Sequence, residues 1–481
     1  MSARIPTQHK SPFEIDPRPL DEMGSPHAGL LATSRALRSL KIPDLVAANL
    51  KLKQRDRGCS DGQYVESLVL LQTAGGDCPE DMSLLAGDDC LERGLGFALP
   101  KTGAVRAFLN RFRDEKIELA RPPRAQQKSF IMPSSQPVQG LQSVLAGGVR
   151  RTAKLYAEQG QALRIATVDQ DATMIESHKA NALAHYEGGR GYQPMVAVWA
   201  EADLILADEF RDGNVPAQQE PLTCAQLAFA ALPDTIQQRY FRGDSACHEN
   251  GLLAWLKHPD RAQEPGGRIG FAVSARMSGP LAQAIAQVKE SEWKTFATEA
   301  DGTLRQWAEV DFVPGQAGEK KDSRPLRYVG LRLLKPQGVL FNEGTDRHHH
   351  AVVSNLDGDG ARLLDWHREK AGTVEHVQDE VKNALAGGHM PSQHFAVNAA
   401  WFKLALLSYN VASAIKGLCF SAEERTVRFK RYRLLLVHLA GRMSRFQCKL
   451  RLRFRASTAA IGRVQKVWSV FALPTQATAF T

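Results

Sequence analysis

The sequence predicts an α/β fold built around a mixed β-sheet. An apolar run at residues 163–168 is typical of a buried strand. Two further strand-like segments, residues 195–200 and 204–210, are separated by a polar break of the kind that closes a hairpin. From there helix-like and strand-like segments alternate, which is the pattern of parallel strands joined by helices.

The alternating part supplies the other strands of the predicted sheet. We predict a helix over residues 218–231, a fourth strand that ends at Asp244, a helix over residues 250–257 and a fifth strand over residues 269–274. Three antiparallel strands followed by alternating helices and strands describe a ribonuclease H-like core. A β-rich insertion is predicted between this part of the core and a later helix over residues 373–385.

Acidic residues stand where the predicted strands end. Asp171 follows the first strand, Asp244 ends the fourth, and Glu375 lies on the later helix. A strand that delivers acids at its tip can place metal ligands on a rigid base. We interpret these three residues as one catalytic, metal-binding triad. Asp169 competes with Asp171 for the central role, and Asp169 and Thr173 are otherwise candidates for supporting the ligands from behind.

Two of these acids also have simpler structural explanations or competing residues. Asp244 could simply cap the helix that follows it. Glu375 has rivals in Glu369, Asp379 and Glu380, any of which could be a solvated charge on a helix surface. The order of strands and acids favours Asp244 and Glu375 as the ligands.

Carboxylate oxygens are hard ligands that suit Mg²⁺ or Mn²⁺. Two such ions about 3.5–4 Å apart can activate a water molecule and stabilise the in-line transition state of phosphodiester hydrolysis. We therefore predict two ions, with Asp171 between them, Asp244 on one and Glu375 on the other. If a freed 3′-hydroxyl replaces water as the nucleophile, the same site joins DNA instead of cutting it.

The positive charge of the chain lies in its last part. The formal net charge is +9, and thirteen Lys and Arg but no Asp or Glu follow Glu424. A basic tail suggests a polyanion partner, most simply nucleic acid, although a solvated basic face would leave the same pattern.

Individual basic residues are also candidates for holding DNA. Lys382 lies two helical turns beyond Glu375, so both face the same side of the predicted helix, and Lys382 could hold a DNA phosphate near the metals. The full set of predicted DNA-binding residues is Arg368, Lys382, Arg428, Lys430 and Arg431.

A chain of 481 residues is too long for one typical core. The predicted organisation is a flexible arm (1–25), a helical N-terminal DNA-binding domain (26–120), a linker (121–140), the first part of the core (141–290), the β-rich insertion (291–355), the second part of the core (356–420) and a basic C-terminal region (421–481). A purely structural helical bundle is the alternative for the N-terminal domain.

Several other classes of protein are not indicated. No apolar run reaches the roughly 18–20 residues of a membrane span, and the polar N-terminus lacks a secretory apolar region. No P-loop motif indicates a nucleotide cofactor. The seven cysteines form no CxxC pair, so neither a structural zinc site nor a disulfide framework is indicated. We expect a cytoplasmic, nucleoid-associated protein.

Short motifs in a fixed order add a resemblance to a known family. The N-terminal part contains Ala28-Gly29-Leu30, Arg57-Gly58, Asp61-Gly62 and Gly75-Gly76-Asp77-Cys78-Pro79-Glu80-Asp81. The core contains Asp169-x-Asp171-x-Thr173, Tyr192-Gln193-Pro194-Met195, Gly213-Asn214, Arg242-Gly243-Asp244-Ser245, the Glu375 to Lys382 spacing, and Tyr409-Asn410. In this order and spacing the chain resembles bacterial insertion-sequence transposases of the DDE class, the cut-and-paste group with a β insertion before the catalytic Glu.

The resemblance implies excision of a mobile element at its inverted-repeat ends and insertion into a target. It also implies a ribonuclease H-like fold, two Mg²⁺ ions and a homodimer on double-stranded DNA. Related enzymes place Tyr, Arg, Glu and Lys around the third acid. Here Trp366 stands where an aromatic Tyr would be, and Arg368 lies farther before Glu375 than the commonest spacing.

The leading hypothesis is therefore a transposase that cleaves DNA and joins it to a target. One alternative is a ribonuclease H-like nuclease without strand transfer, and another is a catalytically silent DNA-binding derivative. The β insertion and the N-terminal helical domain favour the transposase, because a simple nuclease needs neither.

Overall fold

The computed structural model describes residues 24–53, 57–126, 128–263, 268–315, 325–335, 346–446 and 449–473. A large mixed β-sheet lies at its centre, with helices on both faces and a helical region on one side. Most of the predicted flexible arm and part of the predicted insertion turns, at residues 315–323 and 342–347, lie outside the described residues.

A short strand and a series of helices come before the sheet. They are β1 (Gly24–Ser25), α1 (Leu30–Ser39), α2 (Ile42–Asn49), α3 (Asp61–Ala74), α4 (Asp89–Leu95), α5 (Thr102–Asn110), α6 (Glu115–Ala120) and α7 (Gln136–Glu158). The long helix α7 begins earlier than predicted, inside the predicted linker. Pro137 permits this start, because a proline in the first turn removes an N–H that would have had no helical partner.

The strands of the core follow α7. They and their helices are β2 (Ile165–Ala172), β3 (Ile175–Glu176), β4 (Leu183–Ala184), β5 (Arg190–Tyr192), β6 (Met195–Trp199), β7 (Leu204–Glu209), α8 (Leu222–Ala231), β8 (Gln238–Gly243), α9 (Asn250–Lys257) and β9 (Ile269–Ser274). In the sheet they stand in the order β9-β8-β2-β6-β7. β2, β8 and β9 are parallel, whereas β6 runs antiparallel to β2, and β7 runs antiparallel to β6. This is the ribonuclease H-like arrangement, and the predicted fold class is confirmed.

The first core strand is longer than predicted. The predicted strand ended at Val168, with the acids beyond its tip, but β2 continues to Ala172 and contains Asp169 and Asp171. Partners on both sides extend it: β6 pairs with its last five residues, and β8 pairs with it as far as Gln170. Asp169 is tolerated in the interior of this strand because it pairs with the buried Arg242.

The β-rich insertion continues the core sheet. α10 (Gly279–Ala286) precedes the insertion, whose strands are β10 (Lys294–Thr298), β11 (Leu304–Val310), β12 (Arg327–Lys335) and β13 (Asp346–Ser354). These strands form an antiparallel meander, and β13 then pairs with the end of β9, with Val352 opposite Ser274. Within the described parts of the chain the sheet therefore has nine strands, and the insertion is joined to the core through backbone hydrogen bonds.

The chain then returns to the core and ends beside the N-terminal helices. The last elements are α11 (Gly360–Arg368), α12 (Val374–Ala384), α13 (Phe395–Cys419), α14 (Phe429–Tyr432), β14 (Gly441–Phe446), β15 (Lys449–Phe454) and α15 (Thr458–Val470). In the basic C-terminal region, the short helix α14 is followed by a π-helical turn, Arg433–Val437.

Helix α13 is buried on all sides. It packs against the N-terminal helices, α7 and β7 within one continuous hydrophobic cluster. Asn410 on this helix also accepts a hydrogen bond from the Ile205 backbone N–H (2.7 Å) and donates one to the Ile205 carbonyl (2.8 Å). β7 is the edge strand of the sheet, so Asn410 supplies partners that a neighbouring strand would otherwise provide. Among the described residues no helix is long and apolar enough to cross a membrane.

The C-terminal region is attached to the N-terminal region. β1 pairs with β14, and α15 packs on α1. Gly29 lies against the π-helical turn, where a Cβ atom would stand 1.8 Å from the Leu436 carbonyl oxygen and 2.7 Å from that of Val437. Both atoms belong to the backbone, so a side chain at position 29 could not be accommodated by a change of rotamer.

We predict that Gly29→Ala lowers the free energy of unfolding by about 1–3 kcal/mol, the usual cost of forcing atoms into a packed interface. Gly103→Ala is the control, because a Cβ there meets nothing within 4 Å and alanine favours the helix by about 0.5–1 kcal/mol. Urea denaturation measures both. Equal midpoints for Gly29→Ala and the unmodified protein would show that the two ends of the chain do not depend on this contact.

Candidate active site

Two of the predicted acids lie next to each other at one edge of the sheet. β2 and β8 are parallel and in register as far as Gln170 and Gly243. Asp171 and Asp244 come directly after this pair, and the carboxyl ends of parallel strands are where such sheets carry their sites. Burial raises the pKa of Asp244, and the nearby Asp171 carboxylate raises it further. The two acids are therefore close enough to repel each other.

Asp244 also caps the short 3₁₀ helix that follows it. Its Oδ1 accepts a hydrogen bond from the Ala246 N–H at 3.1 Å. Asp244 therefore has the capping role that the sequence suggested. The cap occupies only its Oδ1, so the same carboxylate can also belong to the acid cluster.

A lysine that sequence reasoning missed joins the acids. Lys370 lies in a 3₁₀ turn, Glu369–Gly372, between α11 and α12. Its Nζ is 3.3 Å from Asp171 Oδ2 and 4.0 Å from Glu375 Oε1. Burial alone would lower the pKa of this ammonium group, but Asp171 and Asp244 outweigh burial and raise it. The three predicted ligands are thus brought together around one positive charge.

The third acid, Glu375, stands in the first turn of α12, and its side chain is 55% exposed. The helix is held against β2 farther along the same face. Gln378 donates a hydrogen bond to the Asp171 carbonyl oxygen at 3.2 Å, and Lys382 donates one to the Met174 carbonyl oxygen at 3.3 Å. The spacing of three and four residues puts Glu375, Gln378 and Lys382 on the strand-facing side.

The rivals of Glu375 are occupied elsewhere. Glu369 Oε2 accepts a hydrogen bond from Arg242 at 3.0 Å. Asp379 accepts bonds from Asn383 at 2.7 Å and from Arg428 at 2.5 Å, and Glu380 accepts the Phe429 N–H. None of these contacts involves Asp171 or Asp244, so the geometry favours Glu375.

Asp169 has a different role from Asp171. It is fully buried and forms a two-pronged ion pair with Arg242, with Nε to Oδ1 at 2.6 Å and Nη2 to Oδ2 at 2.9 Å. The Thr373 hydroxyl also donates to its Oδ2. Arg242 in turn donates to the Trp366 carbonyl oxygen at 2.6 Å and lies over the Trp366 ring. We call Asp169, Arg242 and Thr373 the clamp.

The clamp determines where the lysine turn lies. Arg242 is on β8, Asp169 is on β2, and Trp366, Glu369 and Thr373 belong to the segment that carries Lys370. A planar guanidinium with five donors can bind Asp169, the Trp366 carbonyl oxygen and Glu369 at once. Thr373 is attached through the hydrogen bond that it donates to Asp169. The clamp therefore fixes the segment between α11 and α12 onto the two strands whose ends carry Asp171 and Asp244.

Thr173 and the remaining predicted DNA-binding residues lie outside the group formed by Asp171, Asp244, Glu375 and Lys370. Thr173 is buried between β2 and α12, beside Gln378 and Lys382. Arg368 pairs with Glu299 of the insertion at 3.3 Å, away from the acid cluster. The remaining DNA-binding candidates, Arg428, Lys430 and Arg431, are exposed on and beside α14, which packs against α12.

The donor set of the site suits a hard divalent cation. Three carboxylates converge on one cation, the Lys370 ammonium, and oxygen-only donors are those that Mg²⁺ and Mn²⁺ prefer. Within the described ranges, however, no three His, Cys, Asp or Glu side chains are already grouped as metal ligands. The chemistry of the residues fits the ion, but their side chains are not pre-assembled around it.

The fold and the site define a protein of the ribonuclease H-like class with an acid cluster at the strand ends. The model of the family described as "Transposase DDE domain group 1" matches residues 22–472. The chain belongs to this family, and the predicted membership of the DDE transposases is confirmed.

A solved structure, the cryo-EM structure of the piggyBac transposase synaptic complex with hairpin DNA, is 11% identical to this chain, with a TM-score of 0.36. The match covers 94% of this chain and 87% of the other. No curated protein matches the chain.

We predict that Asp169→Asn and Asp171→Asn affect different properties. Asp169→Asn leaves the buried Arg242 without its charged partner, so the free energy of unfolding should fall by about 3–5 kcal/mol. Asp171→Asn removes one partner of the buried Lys370, but it also ends the repulsion between Asp171 and Asp244. These effects oppose each other, so the loss of stability should be smaller than that of Asp169→Asn. Urea denaturation separates them, and equal losses would mean that the clamp is not a structural element.

Proposed function

We propose that the protein cuts DNA at the inverted-repeat ends of an insertion sequence and joins the freed 3′-hydroxyl ends to target DNA. The observation that carries this proposal is the meeting of Asp171 and Asp244 at the ends of two parallel strands, with Glu375 linked to them through Lys370. Membership of the DDE transposase family supports the same conclusion.

The proposed ligands of two Mg²⁺ or Mn²⁺ ions are Asp171, Asp244 and Glu375. Such ions, when bound, activate the attacking hydroxyl and neutralise charge on the phosphate. Asp171 is well placed for a central role, because β6 and Gln378 hold its backbone on either side. Glu375 is exposed, so its side chain can turn toward Asp171 and a DNA phosphate once Lys370 releases it.

The proposed DNA path runs from the acid cluster over α12 to α14. Lys382 and the exposed residues Lys430 and Arg431 supply positive charge along it. Arg428 is tied to Asp379, one helical turn beyond Glu375, which places α14 close to the acids. Double-stranded DNA is the proposed partner, and a homodimer would hold two inverted-repeat ends together. Arg368, which pairs with Glu299 of the β-rich insertion, is the proposed DNA contact beside that insertion.

We predict that Lys430→Gln with Arg431→Gln weakens binding to the inverted-repeat ends. If both side chains contact phosphates, the negative slope of log affinity against log salt concentration should become shallower by about 2. The matched control is Arg151→Gln with Lys154→Gln, which removes the same charge from the exposed face of α7. Fluorescence anisotropy over a salt series measures both slopes, and equal slopes in the two double variants would remove α14 from the path.

The function itself is tested by cleavage and strand transfer with Mg²⁺, using the DNA ends of the element that flanks the gene. Asp171→Asn, Asp244→Asn and Glu375→Gln should each lower cleavage by more than about 100-fold, since even groups behind a metal ligand contribute about 10–100-fold. Glu176→Gln, an exposed acid on β3, is the control and should retain activity.

The same assay separates the alternatives. Cutting without joining would favour a ribonuclease H-like nuclease, and binding without cutting would favour a silent DNA-binding derivative. Cutting that survives the loss of Asp171 or Glu375 would show that the ligands are wrongly assigned.

A further inference from the structure

The acid cluster already contains a buried positive charge. Lys370 is only 7% exposed, and its Nζ contacts carboxylates from two different elements, Asp171 on β2 and Glu375 on α12. Asp244, from the end of β8, acts on the same ammonium group electrostatically. A lysine is rarely buried unless it is paired, so these acids are what keeps it inside.

We propose that Lys370 is the resident counter-cation of the acid cluster in the DNA-free protein, and that a divalent metal ion binds there by displacing its ammonium group. This inference rests on the proposed function, because it takes Asp171, Asp244 and Glu375 as the metal ligands. It adds a residue that regulates how readily the site takes up metal.

Displacement follows from the positions of the atoms. The oxygen that Lys370 contacts, Asp171 Oδ2, belongs to the acid that both ions would share, while Asp171 Oδ1 accepts the Ala172 N–H at 2.9 Å. A metal ion at that oxygen would stand beside the ammonium group, and the two positive charges would repel each other.

The turn around Lys370 allows the side chain to leave while the backbone stays in place. Ala371 and Gly372 are exposed, and a Cβ at Gly372 would meet nothing within 4 Å. On either side of this turn, Glu369 stays bonded to Arg242 and Thr373 stays bonded to Asp169. The flexible stem of a lysine can therefore swing outward without moving α12.

A consequence for DNA binding follows. A displaced ammonium group at the edge of the acid cluster is next to the place where a DNA phosphate must lie, and a phosphate is a good alternative partner for it. DNA and metal should then strengthen each other's binding, and this coupling must be reciprocal. Without the lysine the coupling should shrink.

The experiment is a titration of the full-length, DNA-free protein with Mn²⁺, read by the loss of the free-ion signal in electron paramagnetic resonance. Lys370→Gln should bind Mn²⁺ at least about tenfold more tightly than the unmodified protein. Lys370→Met keeps the buried stem without the charge and should do the same. Lys416→Gln is the matched control and should leave Mn²⁺ affinity unchanged, because this buried lysine pairs with Asp203, an acid outside the cluster.

Thermal unfolding provides a second measurement that does not depend on activity. Without metal, both Lys370 variants should melt below the unmodified protein, because their acids lack a counter-cation. Saturating Mn²⁺ should raise their melting temperature more than it raises that of the unmodified protein. Adding Asp171→Asn to Lys370→Met should abolish the extra rise.

Equal or weaker Mn²⁺ binding by both Lys370 variants would overturn the proposal, as would the absence of Mn²⁺ binding in every variant. These outcomes are separable from failure of the proposed function. Tight Mn²⁺ binding by Lys370→Met in a protein that never cuts DNA would support the counter-cation and refute the transposase. If the unmodified protein cuts DNA but neither Lys370 variant gains Mn²⁺ affinity, the transposase would be supported and the counter-cation refuted.

Discussion

The buried ion pair between Asp169 and Arg242 is the interaction on which the rest of the site depends. It joins the two parallel strands whose ends carry Asp171 and Asp244, and the remaining donors of Arg242 reach Trp366 and Glu369. Removing one member of a buried pair leaves an uncompensated charge, which is far more costly than the pair itself. The segment between the insertion and Glu375 can therefore adopt this position only when Arg242 and Asp169 are both in place.

Much of the fold could be predicted from the sequence because it is encoded locally. The strand Ile269–Ser274 and the helix Asn250–Lys257 have the predicted bounds, since apolar runs and turn residues mark their ends. The length of β2 could not be predicted in this way. Its last residues are polar, and they form a strand because β6 lies beside them in space.

The site shows the same division between local and distant information. Asp171, Asp244 and Glu375 could be selected because each acid follows a recognisable element. Lys370 could not, because its contact with Asp171 joins residues 199 positions apart, and a lysine in an Arg-Glu-Lys segment looks like any solvated charge. Arg242 was visible within the Arg-Gly-Asp-Ser motif, but nothing in the motif identifies Asp169 as its partner.

The pairing of β1 with β14 has a consequence for how the chain is made. Residues 24–25 meet residues 441–442, and α1 packs on α15, which ends at Val470. α2, α3 and α4 cover part of the first helix early, but the part that packs on α15 has no cover until nearly the whole chain has left the ribosome. At about 5–20 residues per second, this partial exposure lasts tens of seconds, so the nascent N-terminal region presents an unpaired apolar surface for that long.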